Sequence, residues 1–133
     1  MIIRKLDIST DKHKQMKDIT HLIQRIITEE KVQDGIVTVF IPHTTAGITI
    51  NENADPDVVH DLLHSFKVIS PIRPEFRHLE GNSDAHLLST LVGADCRVLI
   101  ENGRLLLGTW QSIWFCEFDG PRNRKVIVGL SEG

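Results

Sequence analysis

The stretch RVLIENGRLLLGTWQSIWFCEF, residues 97–118, decides the fold, because apolar runs alternate in it with short turn signals. Asn102-Gly103 between two such runs is the strongest short signal for a β-hairpin. Both faces of the run 110–118 are largely apolar, which predicts a central strand. The predicted strands of this half cover residues 97–100, 104–107, 110–118 and 125–130.

The first half of the chain mixes strand and helix patterns. Apolar residues recur at helical spacing from Asp18 up to Asp34-Gly35, and Asp55-Pro56 is a typical helix start. A third helix is predicted from about Ser83 to Gly93, after a loop over 70–81. Further strands are predicted over 2–9, 36–41 and 46–51. The order β-α-β-β-α-α-β-β-β-β predicts a single α+β domain over residues 1–133, with a mostly antiparallel sheet or sandwich core and about three helices.

Composition narrows the function classes. The 133 residues are 41% hydrophobic and 25% charged, which is typical of a folded globular protein. The net charge of -3 argues against nucleic-acid partners, and no apolar run is long enough to span a membrane. Cys96 and Cys116 lie in apolar runs without a Cys-x-x-Cys pair, so we predict buried free thiols and a cytoplasmic protein. Neither thiol and no serine has the surroundings of a catalytic nucleophile.

Seven histidines raise the question of which ones form a site. His60 and His64 stand one helical turn apart, as in zinc proteases, but aspartate replaces the glutamate base and both face away from the apolar side. A solvated polar face is the favoured interpretation for them. His43, His78 and His86 lie at element boundaries, where three imidazoles can form an open site for a divalent metal such as zinc, or bind an anionic oxygen. Scattered structural histidines remain the alternative.

An anion site is also predicted at the start of the third helix. The segment Asn82-Ser83-Asp84 presents unpaired N–H groups there, and basic residues elsewhere in the chain can add charge. The alternative is that Ser83 only caps the helix. The contributing basic residues are Arg77, Arg122, Arg124 and Lys125.

Four blocks of residues, in order, resemble one known family. They are His43-Thr-Thr-Ala-Gly-Ile-Thr-Ile-Asn51-Glu-Asn-Ala-Asp55-Pro, His78-x-x-Gly-Asn82-x-x-Ala-His86-Leu, Gly103-Arg-Leu-x-Leu-Gly108-Thr-Trp-Gln111 and Glu117-Phe-Asp119-Gly-Pro-Arg122. Together they span nearly the whole chain. The sequence is thereby similar to the YjbQ-like family, also called the secondary thiamine-phosphate synthase family, whose pattern does not include His64.

The resemblance implies a β-sandwich core, a homotrimer with a polar pocket near the subunit boundary, and a weak thiamine-phosphate synthase activity. That reaction transfers a hydroxymethylpyrimidine group from its diphosphate to thiazole phosphate and releases pyrophosphate. The roles that follow are these: His43, His86 and His78 bind a metal (zinc or magnesium) or the diphosphate; Asn51, Asn82 and Gln111 orient the substrate; Thr44, Ser83 and Arg122 bind phosphate; Asp55 or Glu117 balances charge.

Two other function classes stay open at this stage. One is a metal-dependent hydrolase that acts on a phosphorylated small molecule through a histidine-bound water. The other is a non-catalytic module that holds a metal or an anionic metabolite. For Asp55 a helix cap, and for Gln111 a purely structural hydrogen bond, are the competing interpretations of individual residues.

Overall fold

The structure is a computed structural model that describes residues 1–133, and its strands form two antiparallel sheets. The strands are β1 (Ile2–Ser9), β2 (Gln15–Asp18), β3 (Gly35–Phe40), β4 (Ala46–Glu52), β5 (Asp95–Glu101), β6 (Arg104–Leu105), β7 (Gln111–Glu117) and β8 (Asn123–Glu132). The helices are α1 (Thr20–Glu29), α2 (Pro56–Ile69) and α3 (Ser83–Val92). One sheet has the order β1-β8-β3-β5-β6, and the other has the order β2-β7-β4.

The predicted α+β class and element order are confirmed, with one short strand added. Strand β2 has no alternating pattern of its own and is defined by its pairing with β7, where Met16 lies opposite Cys116. The predicted hairpin turn is present, since Asn102 and Gly103 both have positive φ, at 51° and 76°. Asp55 caps α2 by accepting a hydrogen bond from the Asp57 N–H at 2.9 Å.

The main core lies between the two sheets. Val37, Val39 and Val128 of the larger sheet pack against Ile113 and Phe115 of the smaller one, and all five are fully buried. Helix α1 closes this layer with the buried residues Ile23, Ile26 and Ile27. Burial of this apolar surface is the main stabilising term of the fold.

Helices α2 and α3 cover the other face of the smaller sheet. Leu88 and Ala85 of α3 pack there with Phe118 and Cys116. The sequence predicts that α3 buries Leu87, Leu88, Leu91 and Val92, which is partly wrong, because Leu91 is 61% exposed and Leu87 also reaches the surface. No helix of the structure is long and apolar enough to cross a lipid bilayer.

The outer face of the five-stranded sheet carries no covering layer. Ile36, Phe40 and Leu99 point outward there and are exposed, at 39%, 44% and 56%. Ile36 and Leu99 lie directly opposite each other in the β3–β5 pairing. An apolar strip on an open sheet face is typical of an interaction surface.

Candidate active site

The site begins where β3 ends. Pro42 follows the strand and has no N–H, so the ladder between β3 and β8 stops at Phe40 opposite Ile127. The Lys125 N–H of β8 donates instead to Nε2 of His43 at 2.9 Å. This contact requires an unprotonated Nε2, so the neutral ring carries its proton on Nδ1. Burial of the ring and the positive charge of Arg124 both lower the pKa of His43 below the ordinary histidine value.

A buried ion pair joins the two sheets behind His43. Arg124 on β8 donates from Nε to Oε1 of Glu117 on β7 at 2.9 Å, and its Nη2 contacts Oε2. Nη2 also donates to the Oγ1 of Thr45 at 2.9 Å, while the Thr10 hydroxyl donates to Glu117 Oε1 at 2.7 Å. The Glu117 side chain is 0% exposed and that of Arg124 is 5% exposed. The hydrogen-bond partners that a buried carboxylate needs are thus supplied within the chain.

Hydrogen bonding keeps Glu117 ionised. Burial alone would raise its pKa, but donors from Arg124, Thr10 and the Asp119 N–H outweigh burial and hold the pKa below its ordinary value. Arg124 is therefore oriented by a full negative charge. Its remaining amino group, Nη1, makes no hydrogen bond with the chain.

Asp119 organises the opposite side of the site. Its Oδ2 accepts from Asn82 Nδ2 at 2.8 Å and from Arg122 Nη2 at 2.9 Å. Its backbone carbonyl accepts from Arg122 Nε at 2.8 Å. Burial opposes ionisation of Asp119, but these donors outweigh it and lower its pKa. As with Arg124, the Nη1 of Arg122 is left without a protein partner, and Asn82 Oδ1 is buried without one.

A second buried ion pair places the start of α3. Lys14 donates from Nζ to Asp84 Oδ2 at 3.1 Å and to the Phe118 carbonyl at 3.2 Å. The Ser70 hydroxyl donates to the Asp84 carbonyl at 2.9 Å. These contacts fix His86, one turn along α3, against His78 of the preceding loop. The two imidazole rings meet edge to face, with centroids 5.2 Å apart.

These groups surround one pocket of about 440 Å³ in which every lining side chain is polar except Pro42. The lining residues are Pro42, His43, Thr44, Thr45, His78, Glu80, Asn82, His86, Arg122 and Arg124. The structure therefore brings together six of the predicted site residues: His43, Thr44, His78, Asn82, His86 and Arg122. Their roles stay predictions.

The predicted metal role of the three histidines does not fit this arrangement. Nowhere in the chain do three histidine, cysteine or acidic side chains gather closely enough to hold one ion. In addition, a metal at Nε2 of His43 would displace the Lys125 N–H, and a metal at Nδ1 would shift the ring proton to Nε2, against that same N–H. The arrangement instead presents N–H groups, which suit an anionic oxygen.

Four other predicted residues lie outside the pocket. Gln111 is at the far end of β7. A strand with two apolar faces predicts that it is buried, but it is exposed, and its Oε1 accepts from the Gly108 N–H at 2.8 Å. Asn51 lies on β4 opposite Ser112, near that same end. Ser83 is half-buried at the first position of α3, and Asp55 caps α2. A strand rises about 3.3 Å per residue, which separates the two ends of β7 by roughly 20 Å.

Two polar pocket residues, Thr45 and Glu80, were not predicted, and neither was Asp119, which holds Asn82 and Arg122 but does not line the pocket. Asp119 falls inside the last matching block, so its position in Glu117-Phe-Asp119-Gly-Pro-Arg122 was the available signal. Its role depends on contacts with Asn82, far away in sequence, which spacing does not reveal.

Of the residues set aside from the sequence, the two histidines of α2 and Cys116 agree with the structure, whereas Cys96 is only half-buried rather than buried as predicted. His60 and His64 are exposed on α2, as predicted for a polar face. Both cysteines are free, and burial raises the pKa of Cys116 to about 12 and that of Cys96 to about 11. Neither thiol is a nucleophile near neutral pH.

Comparison with known sequences identifies close relatives. The family model described as UPF0047 protein YjbQ-like matches residues 4–133. UPF0047 protein MJ1081 of Methanocaldococcus jannaschii is 53% identical over 126 residues, which cover 95% of this chain and 91% of that protein. UPF0047 protein YugU of Bacillus subtilis is 52% identical over 130 residues, with 97% and 98% covered.

Solved structures share the same fold. An uncharacterised YjbQ/UPF0047 protein from Clostridium acetobutylicum superposes with a TM-score of 0.93 at 49% identity, covering 96% of this chain and 99% of that one. A hypothetical protein from Aeropyrum pernix gives 0.94 at 30% identity, with both chains fully covered. The fold, including the strands that carry the pocket, is therefore kept at widely different sequence identities.

Proposed function

The chain belongs to the UPF0047 YjbQ-like family, and from that premise we propose that its pocket binds the diphosphate of a small organic substrate and promotes departure of pyrophosphate. The proposed reaction is a weak thiamine-phosphate synthase activity. The observation that carries the proposal is the convergence of two oriented arginines, three histidines and Asn82 on one pocket with almost no apolar lining.

The arginines support anion binding because the protein occupies only two of the three nitrogens of each guanidinium group. Glu117 orients Arg124 through Nε and Nη2, and Asp119 orients Arg122 in the same way. Both guanidinium groups keep Nη1 free of protein partners, so a ligand oxygen can accept from prepared donors. Charge-assisted hydrogen bonds from arginine to phosphate are among the stronger polar contacts, and prior orientation lowers their entropic cost.

His43 adds a donor without adding a charge. The neutral form of His43, favoured by its lowered pKa, offers Nδ1–H as a hydrogen-bond donor. His78 and His86 stack edge to face beside it. The neutral N–H of His43 increases affinity for an anion without like-charge repulsion of the two arginines.

The proposed step is a nucleophilic displacement. The thiazole nitrogen attacks the methylene carbon of the hydroxymethylpyrimidine, a C–N bond forms, and the C–O bond to the diphosphate breaks. Pyrophosphate leaves with the bonding electron pair, so negative charge grows on the oxygen that was bonded to carbon. Donors placed at that oxygen lower the barrier because they bind the departing charge more tightly than the ground state.

His86 provides the direct test of this proposal. We expect His86→Ala to lower thiamine phosphate formation about 100-fold, because a positioned donor typically contributes 10²–10⁴-fold. The assay follows thiamine phosphate and pyrophosphate from the two purified substrates. His64→Ala is the matched control, since His64 is exposed on α2 and outside the pocket.

The same assay separates the alternatives. A hydrolase would release pyrophosphate from the organic diphosphate at the same rate with and without thiazole phosphate. Tight binding of pyrophosphate by calorimetry with no turnover of the diphosphate would favour a binding module. Equal activity in His86→Ala and wild type would show that the pocket takes no part in the reaction.

We also propose a homotrimer built on the uncovered face of the larger sheet. The facing pair Ile36 and Leu99, with Phe40 beside them, supplies an exposed apolar strip that a second copy would bury. Strands β3 and β8 both lead from this face to His43 and Lys125, which would place the pocket near the subunit boundary. The free cysteines support the proposed cytoplasmic location.

Leu99 tests the assembly. We expect Leu99→Lys to convert a trimer into a species of monomer mass in light scattering, because a buried charge on each copy opposes association. Leu91→Lys is the control, since Leu91 is comparably exposed at 61% but lies on α3, in the opposite layer. A wild-type protein of monomer mass, or full synthase activity in a monomeric Leu99→Lys, would contradict this proposal.

A further inference from the structure

A second pocket of about 450 Å³ adjoins the diphosphate pocket. The two share His43, Thr44 and His86, so these residues form the wall between them. On the far side of this wall the lining consists of Ser89 and Thr90 of α3 and the turn Gly93-Ala94.

The two pockets differ in charge. The first contains Arg122, Arg124 and Glu80, whereas the second contains no lysine, arginine, aspartate or glutamate. An anion placed in the second pocket would lose water without gaining a charged partner, which is unfavourable. A phosphorylated molecule that spans the wall is therefore oriented with its phosphate groups toward the arginines.

Beyond the wall, both hydroxyl groups of the second pocket are committed as donors. Ser89 Oγ donates to the Ala46 carbonyl at 2.8 Å, and Thr90 Oγ1 donates to the His86 carbonyl at 2.9 Å. Their oxygens remain as acceptors toward the pocket. Gly93 leaves space beside them, because a Cβ built at this position would meet no atom within 4 Å.

We propose that this second pocket is the subsite for the organic part of the substrate, a neutral group that carries hydrogen-bond donors such as an amino substituent. The inference rests on the proposed function and adds to it the direction in which the substrate lies. The bond that breaks then crosses the wall at His43 and His86, with the diphosphate on one side and the amino-bearing group on the other. Ala94 and Thr90 become the residues that set the size of that group.

The test compares two probes by calorimetry: inorganic pyrophosphate, and hydroxymethylpyrimidine diphosphate, whose ring carries an amino group. We expect Ala94→Leu to weaken binding of the organic diphosphate about tenfold or more, since added side-chain volume excludes the ring. Pyrophosphate affinity should stay within about twofold, because it needs only the first pocket. Ala54→Leu, in the exposed loop before α2, is the matched control. Thr90→Leu, on an exposed helix position, repeats the test if Ala94→Leu does not fold.

The outcomes distinguish the two levels of the proposal. Selective loss of the organic diphosphate in either pocket variant supports the subsite. Equal loss of both probes, or unchanged affinity for both, overturns the subsite and leaves the proposed function in place. Failure of wild-type protein to bind pyrophosphate overturns the proposed function, and the subsite with it.

Discussion

Replacing Arg124 with methionine should lower the free energy of unfolding by about 3–5 kcal/mol at pH 7, because Glu117 is then a buried charge without a cation. The wild-type carboxylate is 0% exposed and takes two hydrogen bonds from Arg124. Thr10 and the Asp119 N–H would remain as its donors. Urea denaturation at one fixed protein concentration measures the difference.

The pH dependence identifies the cause. In the wild type the pKa of Glu117 is lowered, so its stabilising contribution is complete above the ordinary value of 4.5 and is lost as the pH falls through the lower folded value. Without Arg124, burial favours the protonated carboxyl, so lowering the pH neutralises the buried charge and reduces the loss of stability in the variant. We therefore expect the stability gap between wild type and Arg124→Met to narrow as the pH falls from 7 toward about 4.

Two controls separate the pair from general effects. Lys125→Met alters the next residue, whose ammonium is exposed and pairs with Asp7 on the outer face, and should cost below about 1 kcal/mol. The double variant Arg124→Met with Glu117→Leu removes both charges and should recover much of the lost stability. A gap that does not change with pH, or a double variant as unstable as the sum of its parts, would show that the ion pair is not responsible.

The core and the pocket were predictable to different degrees for physical reasons. Periodicity in residues 97–118 and the Asn102-Gly103 turn are local signals, and the strands they predict are present. Strand β2 had no such signal, because its position depends on pairing with β7. Likewise Leu91 follows the helical spacing of a buried residue, yet it is exposed near the end of α3.

The candidate site was likewise predictable only in part. His43, His78 and His86 were chosen because they lie at element boundaries, and the fold brings all three to one pocket. Gln111 and Asn51 matched the family blocks equally well but lie at the other end of the smaller sheet. Sequence blocks indicate which segments matter, whereas which end of a strand meets which loop depends on the sheet order. The position of the proton on His43 was also hidden, since Nε2 accepts from a single backbone N–H of β8.

Truncation of Arg122 should have the largest effect on ligand affinity and little effect on the free energy of unfolding. Its side chain is 49% exposed, so truncation removes few packing contacts, but its free Nη1 faces the pocket that we assign to the diphosphate. A hydrogen bond between charged groups contributes about 1.5–3 kcal/mol. We therefore expect Arg122→Ala to weaken pyrophosphate binding about 10–100-fold in calorimetry, with unfolding free energy changed by less than about 1 kcal/mol.

Lys125→Ala provides the comparison, because it removes the same charge three residues away on the outer sheet face. If the pocket acted only through its overall positive field, both variants would lose affinity equally, and added salt would abolish the difference from wild type. A specific contact predicts that only Arg122→Ala loses affinity and that the loss persists at high salt. Asp119→Asn should give a smaller loss, since it leaves the guanidinium in place and weakens only the carboxylate that orients it. An Asp119→Asn loss as large as that of Arg122→Ala would mean that the orientation of Arg122 matters more than its charge.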